Sequence, residues 1–272
     1  MVKQAIIPLA GLGTRLLPLS SVIPKELLPI NGKPNLEYIM EECIQAGVRQ
    51  FIFVVPKNRT SIKKYFFNDS FYKKIIKKKK NDKRLKDVFM RIKKYQKMIK
   101  FVYQNKPEGT GDAVLRCKKY LKGTHFLMLL ADDLIVKKNC SKEMISLHKK
   151  TKSAVIATKK VDKKTVSRWG ILGFKNKSRN SFLINEVIEK PKLSEAPSNY
   201  AIIGRYILPI KIMQEIEKLK PGQGKEIHIT DAIRNLILKG NKFYANIFKG
   251  KYLDCGTLDG YINSSLEISK HK

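Results

Sequence analysis

The apolar run Ala5-Ile6-Ile7-Pro8-Leu9 gives way at once to Ala10-Gly11-Leu12-Gly13-Thr14-Arg15. A run this short and apolar reads as a strand buried on both faces, which calls for a sheet covered by helices on either side. The glycine turn then sits at the strand's carboxyl end, where open α/β sheets bind their ligands. Gly11 and Gly13 let the backbone come close to phosphate oxygens. Arg15 adds a planar fork, and Lys25, within Ile23-Pro24-Lys25-Glu26-Leu27-Leu28-Pro29, adds a compact charge. A glycine cradle with two spaced cations suits a triphosphate.

Two commoner glycine motifs fail on specific residues. The P-loop would end in Gly-Lys-Ser/Thr, which is missing, and the third small residue of the dinucleotide fingerprint is replaced by Leu16. Pro18 and Pro24 rule out a long helix directly after the turn. A turn rich in glycine for geometry alone is the bland alternative, and the Pro-Lys-Glu-Leu-Leu-Pro block weighs against it.

Further along, short apolar runs alternate with helical patterns, so a mostly parallel sheet covered on both faces is expected. Strands are expected at 4–8, 51–55, 99–104, 126–130, 154–158, 169–174, 183–188, 201–208 and 243–248. Leu36, Ile39, Met40, Cys43 and Ile44 form a helical stripe that Gly47 ends. Helices are also expected at 113–121, 142–148, 230–238 and 258–268.

At 272 residues the chain can bury a large core. No apolar stretch approaches the length of a membrane span and no basic-then-apolar leader precedes the first strand, so a cytoplasmic protein without a membrane partner is expected. Cys43, Cys117, Cys140 and Cys255 are scattered, and His125, His148, His228 and His271 show no metal spacing; buried free thiols are the expectation. The net charge of +33 would suit nucleic acid, but the lysines are spread through the chain. The densest run, Lys73 to Lys100, is interleaved with Ile75, Ile76, Leu85, Val88, Phe89 and Ile92, as in amphipathic helices with a solvated face. No dedicated nucleic-acid function is expected.

The two N-terminal blocks resemble those of the sugar-phosphate nucleotidyltransferases, and the likeness runs through nearly the whole chain. Members that use dTTP carry Gly-Gly-x-Gly-Thr-Arg and Ser-Lys-Gln, so Ala-Gly-Leu-Gly-Thr-Arg and Pro-Lys-Glu favour the uridylyl branch. The resemblance implies a three-layer Rossmann-like nucleotidyltransferase fold, α/β with a mixed, mostly parallel central sheet. It implies one domain over 1–272, with a nucleotide-binding part at about 1–135, a sugar-binding part at about 150–256 and a C-terminal helix at about 257–269. UTP and glucose 1-phosphate are the implied substrates, Mg²⁺ the implied cofactor and a homo-oligomer the implied assembly. A dTTP-specific enzyme and a catalytically weak regulatory paralogue stay open as alternatives.

Asp132 and Asp133 follow the strand 126–130, so at least one carboxylate should project into the crevice, where a magnesium ligand is useful. By resemblance the metal ligands are Asp132 and, from the Asp254-Cys255-Gly256 block, Asp254; a capping role is the alternative for Asp133 and for Asp254. The catalytic set implied by the family is Arg15, Lys25, Asp132 and Lys190. Ala10, Gly11, Gly13, Thr14, Arg15, Lys25, Glu26, Gln104 and Gly109 would bind the nucleotide, with Gln104 and the Gly109 backbone reading the uracil edge. Gly170, Glu189, Lys190 and Asn199, within blocks that include Trp169 and run on to Arg205, would bind the sugar phosphate. Two departures stand out: Ser20-Ser21 replaces the family's Thr-Lys, and Trp169 its usual Tyr. Lys3 or Lys33 could make good the missing cation.

Overall fold

The computed structural model describes residues 2–178 and 180–270. Strand β1 (Gln4–Pro8) sends Ala5 and Ile7 into one core layer and Ile6 into the other, and all three are fully buried. The strand therefore lies between two helical layers, as its unbroken apolarity requires.

Two short strands, β2 (Pro29–Ile30) and β3 (Lys33–Pro34), form a small hairpin before helix α1 (Asn35–Gln45). The stripe Leu36, Ile39, Met40 and Cys43 is buried. Gly47, at φ 98°, ends the helix as Val48 N–H bonds the Cys43 carbonyl at 3.0 Å. Strand β4 (Gln50–Val55) follows, then α2 (Ser61–Phe67), α3 (Asp69–Lys78), α4 (Lys83–Gln96) and β5 (Ile99–Tyr103). The lysine-rich run is thus two helices, of which α3 buries no residue and α4 buries Ile92 and Tyr95.

Helix α5 (Thr110–Leu115) is shorter than the sequence-predicted 113–121. Its end tightens into three-residue turns, with Cys117 N–H on Val114 O at 3.0 Å and Tyr120 N–H on Cys117 O at 2.9 Å. Next come β6 (His125–Leu129), β7 (Asp133–Val136), α6 (Cys140–Thr151), β8 (Ala154–Lys160), β9 (Gly170–Lys177), β10 (Ser181–Glu189) and β11 (Tyr200–Pro209). Helices α7 (Ile212–Ile216) and α8 (Ile229–Leu238), strands β12 (Phe243–Ile247) and β13 (Lys251–Asp254), and helix α9 (Leu258–Ser269) complete the chain.

Nine strands form one mixed sheet in the order β5-β4-β1-β6-β11-β8-β12-β10-β9. β5, β4, β1 and β6 run parallel, as do β8 and β12. Every contact made by β11, and those of β10 with β12 and β9, are antiparallel. β8, β12 and β9 thus run in the same sense as β6, and only β10 and β11 are reversed, so the sheet is mixed and mostly parallel as expected.

The chain steps from β1 outward to β4 and β5, then returns to place β6 on the other side of β1. The carboxyl ends of β1 and β6 thus flank the switch point where such sheets bind ligands. A separate ribbon pairs β13 with β7 and sets Asp254 opposite Asp133. Among the described residues no helix is long and apolar enough to cross a membrane. All four cysteines are free and buried.

Candidate active site

The segments leaving β1, β5 and β6 enclose a cleft of about 590 Å³. Ala10, Gly11, Thr14, Arg15, Lys25 and Glu26 line it from the first segment, Gln104 and Gly109 from the second and Asp132 from the third. Gly13 is not in the lining. It takes a left-handed bend (φ 67°) that starts the turn, and Ser20 Oγ braces it by donating to its carbonyl at 2.8 Å.

At Ser21 the hydroxyl turns back to the Pro18 carbonyl at 2.6 Å. Lys33 does not substitute for the missing cation: its ammonium lies 2.5 Å from Glu41, and neither it nor Lys3 lines the cleft. The extra cation beside the cradle is Arg59, whose Nη1 donates to the Gly11 carbonyl at 3.0 Å. No motif marks Arg59 in the sequence.

Lys25 Nζ donates to Asp132 Oδ2 at 2.5 Å, and Arg15 Nη2 lies 3.8 Å from the same oxygen. Burial alone would lower the Lys25 pKa, but the Asp132 charge overrides it and holds the ammonium above its usual range. Burial likewise opposes the Asp132 charge, and Lys25 outweighs it and keeps the carboxyl low. At Asp133, burial and the adjacent Asp132 charge both push the pKa up, and Tyr252 donates its hydroxyl to Oδ1 at 2.6 Å.

Glu26 is fully buried, neither carboxylate oxygen has a hydrogen-bond partner, and burial pushes its pKa up to about 7. Gln104 Nε2 donates to Asp112 Oδ2 at 2.6 Å and to the Gly109 carbonyl at 3.2 Å, which fixes the amide and leaves its oxygen for a ligand.

A second pocket, of about 200 Å³, opens beside the first and is lined by Trp169, Gly170, Glu189, Tyr252 and Asp254, among others. Glu189 Oε2 accepts from Thr230 Oγ1 at 3.0 Å, a contact that no sequence motif marks. Lys190, held in a left-handed conformation (φ 46°), faces the larger cleft instead. Asn199 reaches neither pocket; its amide donates to the Val161 carbonyl at 2.7 Å. Arg205, at the end of the same sequence block, is fully enclosed and supports the Asp132 loop from beneath.

Among the described residues four line both cavities: Arg15, Leu130, Asp132 and Arg168. Arg168 was not among the sequence candidates, although it immediately precedes the Trp169-Gly170 turn. The two carboxylates expected to hold the metal converge beside Gly256. A methyl group added there would lie 2.8 Å from Arg15 Nη2, 3.0 Å from Asp132 Oδ2 and 3.2 Å from Asp254 Oδ1, so glycine lets the three groups approach one point, where Lys25 holds Asp132 Oδ2 at 2.5 Å and Gly256 N–H donates to Asp254 Oδ1 at 2.8 Å. Asp254 does not cap α9; Thr257 does, accepting from Gly260 N–H at 3.2 Å. Two hard oxygen donors facing a cleft fit magnesium, which fills its remaining positions with phosphate oxygens and water.

The nucleotidyl transferase family model matches residues 4–271. UTP–glucose-1-phosphate uridylyltransferase 2 of Staphylococcus saprophyticus is 35% identical, over 98% of this chain and 92% of that protein. A UDP-glucose pyrophosphorylase solved with UDP-glucose superposes with a TM-score of 0.88 at 33% identity, covering 100% of both chains. The UTP-bound enzyme of Acinetobacter baumannii also reaches 0.88 at 33% identity, over 100% of this chain and 95% of its own. The chain therefore belongs to the nucleotidyl transferase family, on the branch that holds the UTP–glucose-1-phosphate uridylyltransferases.

Proposed function

We propose that the protein transfers a uridylyl group from UTP to glucose 1-phosphate, giving UDP-glucose and pyrophosphate. The carrying observation is that a larger and a smaller cavity meet at Arg15, Asp132 and Arg168. A nucleoside triphosphate in the first and a sugar in the second would bring their phosphates together there. The names of the most similar relatives favour the same pair of substrates.

In this reading the Gln104 carbonyl oxygen accepts the uracil N–H, and the orphaned oxygens of Glu26 accept ribose hydroxyls, which supplies the partners a buried acceptor needs. Glu189, aimed by Thr230, takes hydroxyls of the glucose. Lys190 carries its charge toward the sugar phosphate from the cleft side.

A phosphate monoester, with a second pKa of about 6, is already mostly dianionic near neutral pH, so its oxygen attacks the α-phosphorus without a protein base. Arg15 and Lys25 hold the triphosphate for that in-line approach, and positioning with charge neutralisation supplies the acceleration. Lys25 exchanges its contact with Asp132 for phosphate oxygens as substrate arrives. Asp132 and Asp254 would hold Mg²⁺, which when bound neutralises charge between the two phosphate groups.

The test is direct: incubate the protein with UTP, glucose 1-phosphate and Mg²⁺, and follow UDP-glucose and pyrophosphate. Equimolar appearance of both is expected, and absence of UDP-glucose refutes the assignment.

A further inference from the structure

We infer that Arg168 is a phosphate-binding residue of this reaction, placed to grip the phosphate through which nucleotide and sugar become joined; the role in turnover rests on the proposed function. Arg168 lines both cavities, and among the described residues Arg15 and Asp132 are the only other charged ones that do so. Asp132 repels phosphate, and Arg15 already leans toward it at 3.8 Å. Among the described residues no hydrogen bond or ion pair engages the side chain of Arg168, which is exposed, so its five donors are open to a ligand.

Its position is built. The three-residue-per-turn helix Lys163–Arg168 is capped by Asp162 Oδ1, which accepts from Lys164 N–H at 2.9 Å, and is anchored by the buried Val166. Trp169 N–H closes it on the Val166 carbonyl at 3.1 Å, and the Trp169 carbonyl in turn accepts Lys190 N–H at 3.0 Å. One turn therefore delivers Arg168 and Lys190 to the same wall. Lys163 and Lys164, on that turn, are exposed as Arg168 is but line neither cavity. A guanidinium is suited to the junction because its planar fork can hold two phosphate oxygens while staying charged.

The experiment compares the parent with R168A, R168K and, as a control on the same turn, K164Q. Calorimetric titration with inorganic pyrophosphate, UDP-glucose and uridine reads binding, and steady-state kinetics reads turnover. R168A should lose roughly tenfold or more in affinity for pyrophosphate and UDP-glucose, and hold uridine within about twofold. R168K should recover part of the loss, guanidinium ion added to R168A should restore part of kcat, and K164Q should match the parent.

R168A binding pyrophosphate and UDP-glucose as the parent does would overturn the inference. So would a parallel loss for uridine, which marks a purely structural role. A parent that makes no UDP-glucose would refute the proposed function instead, while the pyrophosphate titration still reads Arg168.

Discussion

Arg205 and Glu42 form a buried ion pair at 3.0 Å, with no solvent exposure at the arginine. The same guanidinium donates to the carbonyls of Leu130 at 3.1 Å and Asp133 at 2.6 Å, holding the backbone on both sides of Asp132. Removing one partner of such a pair strands the other charge. Arg205→Met should therefore lower unfolding free energy by about 3–5 kcal/mol, as read by denaturant titration. A loss below about 1 kcal/mol would mean the pair does not support the loop.

This clamp also marks how far the sequence could be read. The block ending in Arg205 was legible as part of the site, but its burial was not, because a motif does not say which side of a loop a side chain occupies. Strand β1, its glycine turn and the stripe of α1 were legible, since each rests on local periodicity. The β7–β13 ribbon was not: β7 is four residues long, and its partner lies more than a hundred residues away. Thr230, Arg59 and Arg168 belong to the same class, for each acquires its meaning only from what the fold brings beside it.

Glu26 has its pKa raised to about 7 from an ordinary value of 4.5 by burial. The native state keeps its proton across that interval while the unfolded chain gives it up, so stability falls as pH rises from about 4.5 to 7. Glu26→Gln removes the ionisation. Thermal melts should show variant and parent alike near pH 5 and the variant gaining by pH 8. A difference in melting temperature that does not change with pH would contradict the origin assigned to the shift.

The hydroxyl of Thr230 orients Glu189 without reaching the nucleotide cleft. Thr230→Val keeps the shape and removes the donor. KM for glucose 1-phosphate should rise roughly threefold to tenfold, with KM for UTP unchanged. Equal effects on both substrates would show that the contact serves the fold alone.

Asp132 and Asp254 come from distant parts of the chain and approach one another beside Gly256. Each Asp→Asn change should remove most Mg²⁺-dependent turnover while the fold survives. The double change should cost far less than the product of the singles, because the two act as a unit. Independent, multiplying effects would break the shared-metal assignment.

The central claim is the pairing of UTP with glucose 1-phosphate, and a matched panel of kcat/KM tests it most directly. UTP, dTTP, ATP, CTP and GTP are each assayed with glucose 1-phosphate at fixed Mg²⁺, and UTP is then assayed with other sugar 1-phosphates. On the proposed roles of Gln104 at the base and Glu26 at the ribose, UTP with glucose 1-phosphate should give the highest value of any pair. A dTTP value equal to or above that for UTP would contradict the account.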